Sequence, residues 1–421
     1  MINPSPKPGS PLSPEFTPRL EARHRSSKLW EMIFKFSTIF GILVLALLML
    51  TIINNLAGYV ATENTVDPTT LAVNGVPLEK LDKDTLVTIL QENVSKGLFR
   101  QIEREKPVEE RSQEEIYNLI LDKVIEPKVV KTWPLLESIL NRSDVQAEAA
   151  EKYPTASLSF NFWINSTFLS SPQSSNPLLA GVRTAILGSL WIILITTLIA
   201  FPVGVGAAIY LEEYASDNRF NRIIQTNINN LAGVPSIIYG MLGLALFVRV
   251  LEPLTSGAMF GMTVDPSTAN GRTILSASLT LAILILPLLI INGQEAIRSV
   301  PNSLREASYG VGATQWQTIW HHVLPNAISG ILTGTILSIS RAFGETAPLV
   351  VIGAATYITY DPDGPFSKFT TLPIQVYQWT ARPQEVFRNL AAGGILVLLL
   401  MLLTVNAAAI IFRNRQSKNK L

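Results

Sequence analysis

Residues 273–294 read TILSASLTLAILILPLLIINGQ, a run bounded by Arg272 and Glu295 with no charge between them. A helix that crosses a bilayer needs about 20 such residues. Helices of soluble cores average about 11–12, so this stretch predicts a membrane span. The same charge-free pattern holds between Lys35 and Glu63, Arg183 and Glu212, Arg222 and Arg249, and Arg388 and Arg413. A further apolar segment starts at Val323, reaches Ser340 and continues past Arg341 and Glu345 to about Ile358. Six spans are expected, and the fold class is an all-α polytopic membrane protein. Composition agrees: only 15% of the 421 residues are charged and 48% are hydrophobic, against about 25% charged in an ordinary soluble domain.

Around the spans the chain divides into five parts. Residues 1–32 open Pro- and Ser-rich, end in Arg19, Arg23, Arg25 and Lys28, and predict a disordered basic tail. The first span is expected over 33–56. Residues 57–177 form a polar insert with 12 Lys and Arg against 18 Asp and Glu, a net charge of −6. Within it, 81–98 and 114–124 show helical spacing, and Asn74-Gly75, Pro107, Pro127 and Pro134 punctuate the chain, so a small, mostly helical domain is expected. A core of five spans follows over 178–412, interrupted by a polar loop at 295–325, and 413–421 is a short tail. Cations near the span ends (Arg23, Arg25, Lys28 and Lys35; Arg219 and Arg222; Arg298 and Arg305; Arg413, Arg415, Lys418 and Lys420) place both termini in the cytoplasm and the insert outside.

The loop is a helix, turn, helix pattern. Pro301-Asn302-Ser303 starts a helix, with Asn302 or Ser303 as its cap and Glu306 at capping-box spacing from Ser303. Gly312 turns the chain out of it. A second helix begins near Thr314 and puts Trp316, Ile319 and Trp320 on one apolar face, after which Pro325 resets the chain before the next span. By residues alone this is an amphipathic element at the membrane surface.

Arg341 and Glu345 stand inside the fifth span, four apart and therefore on one face. A charge at bilayer depth marks a pathway, a pair or a ligand. Two readings follow: a neutralising bridge that locks helices together, or a guanidinium that meets an anion in a turn loosened by Gly344 and Pro348.

Several chemistries are excluded. No GxxxxGK[ST] loop exists to cradle nucleotide. The three histidines, His24, His321 and His322, lie outside the spans without metal-ligand spacing, and there is no cysteine. Neither a catalytic set nor a metal site is expected. A net charge of +1 argues against a nucleic-acid partner. A membrane-anchored sensor reading would need an output domain, for which the residues after Phe412 are too few.

The loop residues Glu306-Ala307-Ser308, then Gly312 and Leu324-Pro325, resemble the EAA loop of ABC importer permeases. Ser308 and His322 depart from the usual pattern. Arg341-Ala342-Phe343-Gly344-Glu345-Thr346-Ala347-Pro348, with 371–379 and Tyr210-Leu211-Glu212-Glu213-Tyr214, is similar to phosphate permeases of the PstA type over about residues 160–415. The resemblance implies a non-enzymatic subunit of the bacterial inner membrane, with Glu306, Ala307, Gly312, Leu324 and Pro325 coupling to an ATPase and Arg341, Glu345 and Gly344 on the substrate pathway. It further implies as partners an ATPase subunit dimer that binds ATP and Mg, a second PstC-like permease, a periplasmic phosphate-binding protein and membrane lipid. No cofactor in this chain is implied. Another oxyanion or small solute remains an alternative cargo.

Overall fold

A computed structural model describes residues 20–418 except 67, 74, 75, 106, 262–270, 355, 356 and 359. Residues 1–54 and 55–421 form two compact units. Among the described residues the first unit is a single helix, α1 (Leu20–Asn54). Its side chains Phe34, Ile39, Leu43, Leu47 and Leu50 are exposed, a surface suited to lipid. The tail expected to stay disordered through residue 32 is therefore helical from Leu20. No proline follows Pro18 in this part of the chain, Leu, Glu, Ala and Arg are strong helix formers, and Lys35 pairs with Glu31 one turn away at 2.7 Å. Six prolines fall within 1–19, outside the described residues.

The second unit opens with a sheet. Strand β1 (Ala57–Glu63) lies between β2 (Lys128–Thr132) and β3 (Ser157–Phe162), antiparallel to both. Beside its helices the insert thus carries a three-stranded sheet that the sequence reading did not include. Its strands are only five to seven residues long, too short for the periodicity of two to stand out. Helices α2 (Lys83–Asn93), α3 (Lys96–Glu105) and α4 (Gln113–Ile120) enclose a small apolar cluster around Leu86, Leu90, Ile116 and Ile120. The helix expected over 81–98 breaks at Val94-Ser95, and the Asn74-Gly75 turn lies outside the described residues. One face of the sheet is covered by α5 (Leu135–Leu140) and α6 (Arg142–Lys152) through Trp133, Val145 and Ala149. From the other face Val60 joins Trp163, Phe168, Val182, Trp379 and Phe387 in one buried cluster. The sheet is consequently part of the membrane body's core, tied to it through α7 (Ser166–Ser170) and the helix that follows.

That body is a helix bundle. The order is α8 (Arg183–Ile209), α9 (Arg219–Ala232), α10 (Ser236–Gly243), α11 (Glu252–Thr255), α12 (Ile274–Arg298), α13 (Asn302–Gly310), α14 (Gln315–Thr318), α15 (Leu324–Gly344), α16 (Ala347–Ile352), α17 (Leu372–Ala381) and α18 (Val386–Lys418). The run quoted first, α12, lies between α8 and α15, and Ala277, Leu281, Ile285 and Leu289 are buried along it. Among the described residues five helices are long and apolar enough to cross a membrane, and a sixth crossing exists if one bent pair counts as a span. That pair corrects the expectation of a continuous third span. The chain bends by 106° between α9 and α10, where Gly233 and Pro235 interrupt the backbone ladder. The fifth span likewise stops at Gly344 instead of running to about Ile358, and α16 follows as a separate short helix. At the end of the chain α18 continues to Lys418, so most of the tail expected over 413–421 is helical.

Candidate functional site

The loop after α12 folds as a helical hairpin held on the end of α8. Beyond Ile209 the backbone of α8 continues through one π-turn, Tyr210–Tyr214, and carries Glu212 and Glu213. Glu213 is the buried one, with its side chain 6% exposed. Arg305 of α13 donates Nη2 to it at 2.6 Å and spends further donors on the carbonyls of Val300 (2.7 Å) and Ile297 (3.0 Å). Gln315 at the start of α14 donates to the Glu213 carbonyl. One residue therefore fastens both arms of the hairpin. Beside it Arg298 grips Glu212 with two parallel bonds of 2.9 and 2.8 Å. Sequence reasoning quoted 210–214 only as a likeness. What would have found it is the surplus of two acids at the end of one span facing two arginines at 298 and 305.

Each sequence-predicted loop residue has a defined place. Glu306 and Ala307 are exposed on α13, and Gly312 adopts φ +87° at the turn, the left-handed region that a Cβ resists. Ser308 is buried and its hydroxyl meets that of Thr318 at 2.9 Å across the hairpin. The departure from Ala at this position is thus a fastening point. Three expectations are corrected. Neither Asn302 nor Ser303 caps α13; the cap position is Pro301, and Asn302 instead accepts a bond from Arg305 at 3.2 Å. Trp316, Ile319 and Trp320 do not share one environment: Ile319 is fully buried, whereas the two tryptophans are exposed and stacked at 5.5 Å. Pro325 does not reset the chain. One helix runs from Gln315 to Gly344, because a π-turn at Ile319–Val323 absorbs the backbone bond that a proline cannot donate. Leu324 and Pro325 lie half-buried just after that turn.

At the far end of the same helix stands the charged pair. Arg341 Nε lies 3.3 Å from Glu345 Oε1, with side-chain exposures of 44% and 17%. Among the described residues no other acceptor engages the Arg341 guanidinium, so most of its five donors remain open. Gly344 ends the helix and faces open space. Just beyond, Pro348 of α16 is buried against Gly240 of α10, where an added Cβ would come within 2.6 Å of Pro348 Cα. The two interrupted helices thus meet at a close contact near Arg341. A polar cavity of about 490 Å³ opens on the loop side of the bundle, lined in part by Asn221, Arg222, Gln225, Gln294 and Glu295. Gln225 and Gln294 exchange amide bonds of 3.2 and 2.9 Å there. No group of His, Cys, Asp or Glu among the described residues is arranged to hold a metal ion.

Residues 200–419 match the family described as "Binding-protein-dependent transport system inner membrane component". This chain belongs to that family. It is the membrane permease component of an ABC importer, a multi-pass protein of the inner membrane and not itself an enzyme. Among curated relatives, the permease is 33% identical over 254 residues to a probable ABC transporter permease protein, YqgI, of Bacillus subtilis, covering 58% of this chain and 81% of that one. It is 32% identical over 239 residues to the phosphate transport system permease protein PstA of Pasteurella multocida, covering 56% and 78%. Among solved structures, a chain of a bacterial alginate ABC transporter aligns with a TM-score of 0.44 at 15% identity, covering 64% of the permease and 86% of that chain.

Proposed function

We propose that this permease carries an inorganic oxyanion, phosphate, across the membrane and is driven by a separate ATPase subunit dimer seated against the hairpin. The relatives named PstA favour that cargo. The observation that carries the reading is Arg341, a guanidinium at a helix break that spends one bond on Glu345 and keeps the rest of its fork open. A desolvated oxyanion needs such a donor, and an arginine fork matches its geometry. Glu345 holds the guanidinium when no anion is present. A second, PstC-like permease completes the pore, and a phosphate-binding protein delivers the anion on the side of the insert. That side is extracytoplasmic, and both termini and the hairpin are cytoplasmic.

Coupling runs through the hairpin. The exposed side chains Leu304, Val311, Trp316 and Trp320, with Glu306 and Ala307 among them, present a mostly apolar surface of the kind a partner protein covers. Gly312 sets the angle between the two arms. Leu324 and Pro325 pass movement into α15.

The test separates pathway from bridge. Arg341→Gln alone strands Glu345, while Arg341→Gln with Glu345→Gln removes the stranded charge. On this proposal the double variant reaches the membrane at the native level yet takes up phosphate about tenfold to a hundredfold more slowly, the loss of a charged hydrogen bond of about 1.5–3 kcal/mol. Native uptake by the double variant would make the pair a structural bridge only.

A further inference from the structure

Of the large apolar side chains that the insert exposes among the described residues, six gather on one rim: Leu136, Ile139, Leu140, Phe160, Phe162 and Leu169. Phe162 is paired with Ala57 and Phe160 with Tyr59, at the start of β1. The Phe160 ring meets Tyr59 edge-on at 5.5 Å. Where β2 ends, Trp133 donates to the Tyr59 carbonyl at 2.9 Å, and the chain then turns into α5, whose Ser138 hydroxyl accepts from the Tyr59 amide at 2.9 Å. Leu136, Ile139 and Leu140, at i, i+3 and i+4, are thereby brought to the same end of the sheet. Leu169 belongs to α7, which is bonded to the start of α8: Val182 donates to Phe168 O at 2.8 Å and Arg183 to Ser170 O at 2.6 Å.

This rim adjoins the point where α8 enters the membrane, since Arg183 is the first residue of that span. The opposite end of the sheet is polar, with Glu63 paired to Lys128 and Thr62 to Ser157. Polarity therefore changes along the strands, apolar beside the spans and charged away from them. A bilayer surface imposes such a gradient, whereas a protein partner has no reason to follow it.

We propose that this rim rests in the lipid interface, with the two phenylalanines and the α5 leucine–isoleucine face at headgroup depth. The insert is then a second membrane contact of the permease, made on the surface and not through it. Because the sheet shares a buried cluster with α17 and α18 through Val60, Trp379 and Phe387, lipid contact at the rim braces those helices as well.

The chain has no cysteine, so single labels report without background. Leu140, 76% exposed, and Phe162 are replaced by cysteine in the full chain, with a cysteine at the exposed Glu92 of α2 (Glu92→Cys) as control. Each is coupled to a nitrobenzoxadiazole dye and reconstituted into phosphatidylcholine–phosphatidylglycerol vesicles. Lipids brominated high on the acyl chain quench the two rim labels about twofold, while aqueous iodide quenches the Glu92 label alone. Iodide quenching of the rim labels equal to that at Glu92 overturns the proposal. So does shielding from both quenchers, which would mean that a protein covers the rim.

Discussion

Two ion pairs anchor the turn after α8, one to the end of α12 and one to the hairpin, and burial separates them in worth. Arg298 is 70% exposed and Glu212 15%, so the pair is open to solvent on the arginine side and Arg298→Ala is expected to lower stability by about 1 kcal/mol, less than loss of the pair beside it. Glu213 and Arg305 are 6% and 15% exposed. Removing Glu213 strands a buried guanidinium, and Glu213→Ala is expected to cost about 3–5 kcal/mol, read as a fall in unfolding temperature in detergent. Equal effects of the two substitutions would show that burial does not rank these pairs. Gly312 makes a different kind of demand. An added Cβ would meet no atom within 4 Å, so the penalty of Gly312→Ala is conformational, about 1 kcal/mol. Gly312→Asn should retain more ATP-coupled uptake than Gly312→Val, because asparagine tolerates the left-handed region and a β-branched residue does not. The glycine, the arginine–glutamate pair at 341 and 345 and the EAA spacing were all legible as residue types at fixed offsets. Glu213 was not, because its meaning lies in a partner 92 residues away.

At the scale of elements, long apolar runs were legible because lipid demands an unbroken charge-free length. Breaks were not. Gly233 and Pro235 were visible as letters, but only contacts with neighbouring helices decide whether such a pair kinks a span or divides it. The sheet escaped for a related reason: β1 is stabilised by strands 65 or more residues distant in sequence, so no local window holds the signal. One element in that sheet region offers a pH test. Glu148 accepts from Lys152 at 2.9 Å and from the buried Trp133 indole at 3.0 Å, and these bonds hold its carboxyl below the ordinary carboxylate range. Its contribution is present above the ordinary carboxylate pKa and is lost as pH falls through the lowered value. Unfolding curves of the Glu148→Gln variant should therefore converge on those of the native chain as the pH is lowered into the acid range. A gap that stays constant with pH would remove Glu148 from the pH response.

For the whole molecule, sidedness is the property on which the transport reading depends. A cysteine at exposed Asn118 should react with a membrane-impermeant thiol reagent in intact cells, and one at Gln416 should not; the reverse pattern would invert the protein. An odd number of crossings, with the α9–α10 pair entering and leaving on one side, would label both. The uninterrupted helix from Gln315 to Gly344 gives the molecule a second global property, which is rotational phase. Its 30 residues span about 45 Å, and the π-turn at Ile319–Val323 inserts one extra residue near the hairpin end. Every side chain before that turn is consequently offset by about 100° around the axis from where an unbroken α-helix would put it. Excising His321 would restore the α-helical register, swing Thr318 and Gln315 about 100° out of alignment with Ser308 and Glu213, their partners in the native hairpin, and leave the apolar stripe of the membrane portion unchanged. The expected result is a permease that inserts normally, unfolds at a lower temperature because the hairpin loses both fastenings, and no longer transports, as though the drive shaft were intact but keyed to the wrong angle.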